Sequence, residues 1–197
     1  MPGVQPRTWV RLSVVALLAV LAGVTFLYLR GPVSWQRRYY PLDYQEAIEA
    51  SAIRHEVNPY LVASVIKAES DWDASAESAA GAVGLMQVLP STAEELARRG
   101  LVNSQEFPLE KLGDPEVGIE YGTAYLRYLV ERYHEIEVAL AAYNAGLANA
   151  DSWAREGGDI RDHIEFPETR HFVLKVSRGK DRYQRLYPDA FEQWRSK

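Results

Sequence analysis

Glu69 is the residue whose type and position in this sequence most clearly suggest chemistry. Aliphatic side chains precede it at helical spacing, and this stripe consists of Leu61, Val62, Val65 and Ile66, with Glu69 as its next member. Burial and the negative end of the helix macrodipole both disfavour a charged carboxylate at this position. A carboxyl group held protonated near neutral pH can act as a general acid. The other interpretation is a boundary residue that points to water from a frayed helix end.

A second carboxyl group often accompanies such an acid, as a nucleophile or base. The candidates for it are Asp71, Asp73, Glu77 and Glu165. Asp71 and Asp73 flank Trp72 in a polar segment, which favours solvated or capping roles. The residue pattern therefore indicates one candidate acid and no defined partner.

Three short motifs follow Glu69-Ser70 along the chain. Ser78 comes first, residues 81–87 then read Gly-Ala-Val-Gly-Leu-Met-Gln, and residues 142–146 read Ala-Tyr-Asn-Ala-Gly. Together they resemble the lytic transglycosylases of the soluble, family 1 type, over about residues 47–187. The segment 165–170, Glu-Phe-Pro-Glu-Thr-Arg, is similar to a late segment of that family. Any one motif is weak, but their order and spacing make coincidence improbable.

The resemblance implies a mostly α, lysozyme-like fold and an enzyme that acts on peptidoglycan. Glu69 would protonate the β-1,4 bond between N-acetylmuramic acid and N-acetylglucosamine, then act as base while the muramic 6-hydroxyl closes a 1,6-anhydro ring. Neighbouring-group help from the substrate's own N-acetyl group can replace a protein nucleophile. The implied substrate-binding residues are Ser78, Met86, Gln87, Tyr143 and Asn144, and the implied supporting residues are Ser70 and Glu165. No cofactor or metal is implied.

Side-chain chemistry sharpens some of these roles and leaves others open. Gln87 is expected to donate to an N-acetyl or lactyl oxygen, and the Tyr143 phenol to reach Glu69 or a substrate acyl group. Met86 is equally compatible with the core and with the groove lining. Asn144 is equally well explained as a tie between a helix end and a loop. Glu165 is expected to be a buried carboxylate whose repulsion helps to keep Glu69 protonated.

The helices that must position these residues are indicated by capping residues and periodicity. Asp43 with Glu46 predicts a helix to about residue 57, and Asn58 with Pro59 starts the Glu69 helix. The later helices are predicted from Ser91 as N-cap to Gly100, from Asp114 to about Tyr133, over 136–145, and over 169–187 with an interruption at Gly179. Residues 71–83 are expected to form a loop, and Gly157-Gly158 a turn.

The N-terminal 30 residues have a different composition from the rest. Residues 12–29 carry no charge and are rich in Leu, Val and Ala, a stretch long enough at about 1.5 Å per residue to nearly cross a bilayer core. No clear Ala-x-Ala cleavage site follows, so an uncleaved signal anchor is favoured over a cleaved signal. Flanking arginines decide the orientation poorly, whereas the resemblance implies a single-pass protein of the cytoplasmic (inner) membrane with its domain facing the periplasm and cell wall.

Charge and composition exclude several function classes. Residues 31–197 carry 19 basic and 27 acidic groups, a net charge near −8, which disfavours nucleic acid as a partner. The sequence contains no cysteine, and its four histidines show no paired metal spacing. The expected partners are therefore peptidoglycan glycan strands and the membrane.

These observations predict a signal anchor at 1–30, a juxtamembrane linker at 31–42 and a lysozyme-like domain at 43–197. Two alternatives to the transglycosylase stay open. One is a muramidase that uses the same site but lets water finish the reaction. The other is a non-catalytic wall-binding scaffold, which the presence of Glu69 disfavours.

Overall fold

The computed structural model describes residues 6–196, apart from the side chains of residues 6–8 and 28–30. In that part of the chain the regular structure is helical, with isolated β-bridges in one loop. The α-helices are α1 (Pro6–Arg30), α2 (Val33–Tyr39), α3 (Gln45–His55), α4 (Pro59–Glu69), α5 (Pro90–Arg98), α6 (Pro115–Tyr133), α7 (Ile136–Ala145), α8 (Leu147–Ala154), α9 (Ile160–His163), α10 (Pro167–Leu186) and α11 (Glu192–Arg195), and a short 3₁₀ helix spans Leu109–Lys111. The predicted mostly helical architecture is confirmed.

The chain divides into two compact units, residues 1–41 and 42–197. In the first unit, the 19-residue segment Trp9–Leu27 of α1 is long and apolar enough to cross a membrane, with a mean hydropathy of 2.3 and no residue buried against protein. This role is supported only by length and composition, and a signal sequence would have both properties. Residues 1–5 of the predicted signal anchor, and the side chains of Arg7 and Arg30, lie outside the described part.

In the second unit, α4 packs along α10 in the most extensive helix pairing. Gly179 makes the close approach possible, because a side chain there would collide with the Ser64 hydroxyl. Ser64 Oγ instead donates a hydrogen bond of 2.8 Å to the Val176 carbonyl. The predicted interruption of the last helix at Gly179 is therefore wrong: α10 continues, and the glycine serves helix packing.

The centre of this unit is α7, whose residues 138–142 are all buried. The small alanine side chains of α7 let other helices pack closely on several of its sides, and α6, α8 and α10 all pack against it. α3 completes the unit by packing on α6. As a result, the C-terminal ends of α4 and α7 and the loop between α4 and α5 are held by one common core.

Of the four predicted N-caps, two are confirmed and two are wrong. Asn58 and Asp114 accept hydrogen bonds from the backbone N–H groups of Tyr60 and Glu116, as expected of N-caps. Asp43 and Ser91 do not cap, since α3 starts after Tyr44 and α5 starts after Leu89 without a side-chain cap. The short helices α2, α8, α9 and α11 were not predicted, and α2 lies within the predicted linker.

Candidate active site

Glu69 is the last residue of α4, and its side chain is partly buried. Burial raises the pKa of this carboxyl group to about 7, while the Lys175 ammonium acts in the opposite direction. Lys175 comes from α10 and donates a hydrogen bond of 3.1 Å to the carbonyl of Ala68, the residue just before Glu69. The expectation of an acid held protonated near neutral pH is thus supported by the geometry of the helix end.

Ser70 and Tyr143 bind two consecutive backbone carbonyls of the Gly-Leu-Met-Gln segment. Ser70 Oγ donates to the Leu85 carbonyl at 2.9 Å, and the Tyr143 hydroxyl donates to the Met86 carbonyl at 2.8 Å. The end of α4 and the end of α7 are therefore each fixed to the loop by one side chain, Ser70 and Tyr143 respectively.

Tyr143 lies close enough to Glu69 for the two groups to influence each other. Burial raises the pKa of the Tyr143 phenol well above its usual value, and the charge of Glu69 adds to this effect. The phenol therefore stays neutral and keeps its hydrogen. That hydrogen goes to the loop carbonyl of Met86 and not to Glu69 as one alternative expected.

Gln87 and Ser78 shape the loop that faces the helix ends. Gln87 has a positive φ of 48°, an unfavourable backbone conformation for a residue with a side chain. Its amide nitrogen donates to the carbonyls of Ala76 and Gly84, each at 3.0 Å, and Ser78 Oγ accepts from the Ala82 N–H at 3.0 Å. Both amide hydrogens of Gln87 are thus directed to loop carbonyls, and its amide oxygen lacks such a partner among the described residues. Its donation to a substrate stays a prediction.

Met86 belongs to the core, so the groove-lining alternative is wrong for its side chain. It is fully buried against Gly122 of α6, where an added Cβ would lie 2.5 Å from the Met86 sulfur. Gly122 thus allows the loop to approach α6 closely.

A cavity of about 340 Å³ lies beside these groups. It is lined by residues 87–89 of the loop, Thr92 of α5, Tyr125 of α6 and residues 143–146 at the end of α7. Three of the predicted site residues therefore meet at one cavity, namely Gln87, Tyr143 and Asn144. Tyr143 also connects it to Glu69 through their electrostatic interaction.

Asn144 ties the end of α7 to the start of α10, as one alternative expected. Its Oδ1 accepts a hydrogen bond of 2.8 Å from the hydroxyl of buried Thr169. Because this bond uses the carbonyl oxygen, the amide N–H groups of Asn144 are the ones left for the cavity that it lines.

Glu165 is exposed, so the expectation of a buried carboxylate is wrong. The reason is its position in the connection just before α10, which lies at the surface while the following helix enters the core. Glu165 is also absent from the interactions that set the pKa of Glu69.

The other candidates for a second carboxyl group are also exposed. Asp71 pairs with Lys67, and Asp73 accepts hydrogen bonds from Ser75, which lower the pKa of Asp73. Glu77 is exposed in the same loop. None of these three shares the partly buried setting of Glu69.

Two residues near the site were missed by sequence reasoning. Lys175 carries no sequence signal, since only the pairing of α10 with α4 brings it to Ala68. Tyr125 lines the cavity, and burial raises its pKa to about 12. Its hydroxyl makes no hydrogen bond to any residue that the structure describes.

With the site described, the chain can be compared with known proteins. Residues 46–165 match the model of the family described as "Transglycosylase SLT domain". The chain is 30% identical over 155 residues to the soluble lytic murein transglycosylase of Escherichia coli K12, covering 75% of this chain and 24% of that protein. It is 36% identical over 174 residues to the membrane-bound lytic murein transglycosylase F of Desulfosudis oleivorans, covering 84% of this chain and 35% of that protein.

The fold is similar to solved structures of the same kind. The 70 kDa soluble lytic transglycosylase of Escherichia coli superposes with a TM-score of 0.69 at 27% identity, covering 78% of this chain and 26% of that chain. The chain thus spans about a quarter of the length of the first curated relatives that it matches.

Proposed function

Because the chain belongs to the transglycosylase SLT domain family, we propose that it is a peptidoglycan lytic transglycosylase with Glu69 as its single catalytic residue. The observation that carries this proposal is a partly buried carboxyl group with a pKa raised to about 7, at a helix end fixed to two family motifs. A group with this pKa is protonated often enough to act as an acid and ionised often enough to act as a base.

The reaction needs two proton transfers and no water. Glu69 donates its proton to the glycosidic oxygen as the bond between muramic C1 and that oxygen breaks, and the N-acetyl oxygen of the substrate stabilises C1. The ionised Glu69 then takes the proton of the muramic 6-hydroxyl while O6 bonds to C1. The products are a free N-acetylglucosamine 4-hydroxyl and a 1,6-anhydromuramic end, and Glu69 is protonated again.

The cavity residues would hold the sugar while these transfers occur. The amide oxygen of Gln87 suits an N-acetyl N–H, and the amide hydrogens of Asn144 suit an acyl oxygen. Ser70, Ser78 and Tyr143 act on the loop, keeping it in the strained conformation that presents Gln87.

We further propose that α1 anchors the protein in the cytoplasmic membrane, with the domain on the wall side. The apolar segment Trp9–Leu27 supports membrane association, as does the similarity to a relative named membrane-bound. Orientation is tested by adding a protease to spheroplasts, which should degrade the domain only if it faces outward.

The catalytic proposal is tested with Glu69→Gln, which keeps the shape but has no carboxyl proton. Digestion of purified wall by the full chain in detergent should fall by at least about 100-fold. Glu77→Gln, at an exposed position in the loop that follows α4, is the matched control and should digest normally. Full activity of Glu69→Gln would contradict the assignment.

Product masses separate the transglycosylase from a muramidase at the same site. Anhydromuramic ends, lighter by one water than reducing ends, are expected from the wild-type digest. Reducing ends would instead show that water completes the reaction.

A further inference from the structure

The exposed tryptophans among the described residues flank the apolar segment Trp9–Leu27. Trp9, at its start, is 62% exposed, and Trp35, a short distance after its end, is 50% exposed. The remaining tryptophans are buried or partly buried, namely Trp72, Trp153 and Trp194. Tryptophan and tyrosine concentrate where a membrane-crossing segment meets the headgroup layers, because their rings combine apolar area with a polar group. The position of Trp35 therefore indicates a contact with the membrane beyond the span itself.

A tight turn at Gly31 and Pro32 leads directly from α1 into α2. The Gly31 N–H donates to the Leu27 carbonyl at 2.9 Å, and a Cβ on Gly31 would collide with that same oxygen. The backbone N–H groups of Trp35 and Gln36 donate to the Pro32 carbonyl at 2.9 and 3.2 Å. Gln36 Nε2 also donates back to the Gly31 carbonyl at 2.7 Å. The connection between the two helices is therefore a fixed turn.

The length of α1 places this turn in the headgroup layer when Trp9–Leu27 fills the bilayer core. That segment is about 28 Å long at about 1.5 Å per residue, close to the roughly 30 Å thickness of the core. α1 ends at Arg30, which is only about 4.5 Å beyond Leu27 along the helix axis. Because each headgroup layer is about 5 to 7 Å thick, the turn falls inside it, and α2 begins there.

α2 carries side chains that suit this layer. Trp35 and Tyr39 are one helical turn apart, their ring centroids are separated by 6.3 Å, and both rings are exposed. Arg38 is exposed and flanks the same face, three positions after Trp35, whereas Val33 and Arg37 share the opposite face. An arginine side chain lies well along an apolar surface while its guanidinium pairs with a phosphate.

The distribution of charge along the chain favours the same location. Residues 1–42 contain five arginines and no acidic residue, whereas residues 43–197 carry 17 basic and 27 acidic groups. Phosphate groups attract a basic segment within about 10 Å and repel an acidic one. Positive charge is thus concentrated beside the membrane-crossing segment.

We propose that α2 lies in the phosphate headgroup layer of the bilayer, with Trp35 and Tyr39 inserted toward the acyl chains and Arg38 paired with lipid phosphate. This inference rests on the proposed role of α1 as the membrane anchor. The partner is a phospholipid surface, because the layer in which α2 begins is continuous with the bilayer that α1 crosses. Membrane contact then extends to Tyr39 instead of ending with α1.

A label scan of the full chain in vesicles of phosphatidylcholine and phosphatidylglycerol tests this proposal. The sequence has no cysteine, so a cysteine introduced at one position carries the only spin label. Positions 33–39 are labelled one at a time, and collisions are measured with oxygen, which dissolves in lipid, and with a nickel chelate, which stays in water. The oxygen-to-nickel ratio should follow the helical period and be at least about threefold higher at positions 35 and 39 than at 37.

The aromatic pair is tested in the chain labelled through Arg38→Cys. Trp35→Gln together with Tyr39→Gln should lower the oxygen-to-nickel ratio at least about twofold, because the helix loses its inserted rings. Tyr44→Gln, at an exposed aromatic residue of the second unit, is the matched control and should leave the ratio unchanged. An equal effect of Tyr44→Gln, or high nickel contact at positions 33–39 without a helical period, would overturn the proposal.

A label at Ala19, in the middle of the apolar segment, separates this inference from the anchor on which it rests. If that label lies deep in lipid while all labels on α2 stay in water, α1 is the anchor and the inference on α2 is refuted. If the label at Ala19 itself contacts the nickel chelate freely, both proposals are refuted. Wall digestion depends on Glu69 and is tested separately, as described above.

Discussion

Glu69 and Glu120 are two carboxyl groups withdrawn from water in one domain, and their pKa values shift in opposite directions. Glu120, in the middle of α6, is the more deeply buried, with 2% of its surface exposed. Burial alone would raise the pKa of Glu120, but hydrogen bonds from His55 and Arg54 outweigh it and leave the pKa below its usual value. Glu69 is less buried, yet its pKa rises to about 7.

The difference lies in the partners that each carboxyl group receives. Glu120 Oε1 lies 2.7 Å from His55 Nε2 and 3.0 Å from Arg54 Nε, and its Oε2 lies 3.2 Å from Arg54 Nη2. Glu69 has Lys175 nearby, but that ammonium bonds to the Ala68 carbonyl. Burial without compensating donors favours the neutral acid, and burial with them favours the ion.

Burial alone therefore does not identify a catalytic acid. Glu120 connects α3 to α6 and contributes to stability because it is ionised and paired. Glu69 costs stability when it ionises, which is the property expected of a group kept for chemistry. A glutamate therefore affects stability in opposite directions at these two positions, and each effect can be measured.

The largest effect is expected for Glu120→Gln. Removing the charge leaves His55 and Arg54 without their ionic partner, and the free energy of unfolding should fall on the order of 3 kcal/mol at pH 8. Because the folded pKa is depressed, the loss relative to wild type should be present above the usual carboxyl pKa and vanish as the pH falls through the folded value. Thermal unfolding of the full chain in detergent, at pH 8 and in acid, measures it.

Glu131→Gln provides the comparison on the same helix. Glu131 is paired with Arg127 but exposed, so its loss should change stability by less than about 1 kcal/mol. Equal destabilisation by the two changes would show that the buried pair has no special role.

Glu69→Gln should have the reverse effect on stability. Above pH 7 the wild type holds an ionised, poorly solvated carboxylate, so the amide variant should be more stable by about 1 to 3 kcal/mol. The folded pKa is raised, so the difference should grow from the usual carboxyl pKa to about 7 and be absent in acid. The same unfolding measurement applies, and the exposed Glu165→Gln should match wild type at both pH values. A destabilised Glu69→Gln at pH 8 would contradict the comparison.

Much of this site could be predicted from the sequence because its parts are local. Asn58 and Pro59 fix where α4 starts, and helical spacing then places Glu69 at its end. The motif resemblance to the transglycosylase family is confirmed by the match over residues 46–165. The roles of the individual site residues remain predictions.

The parts that could not be predicted depend on pairing between distant segments. Residue type alone did not show that Met86 faces Gly122, that Glu165 stays at the surface, or that Lys175 reaches α4. Glu120 is a charged residue within the buried run from Val117 to Ala124, and its partners come from α3, more than 60 residues earlier in the chain.

The smallest effect is expected for Lys175→Met, which tests how far a distant cation tunes Glu69. The ammonium opposes the rise caused by burial, so its removal should raise the pKa of Glu69 further. Glu69 must be protonated to start the reaction, so the decline of kcat/KM with rising pH should begin at a higher pH than in the wild type. Lys175 is exposed and screened, so the basic limb of the pH profile should move up by only about 0.3 to 0.5 pH unit. Lys180→Met, on the same helix and beside Asp181, should leave the limb in place. An unchanged limb, or equal shifts in both variants, would mean that the pKa of Glu69 is set without Lys175, and that a lack of donors alone distinguishes it from Glu120.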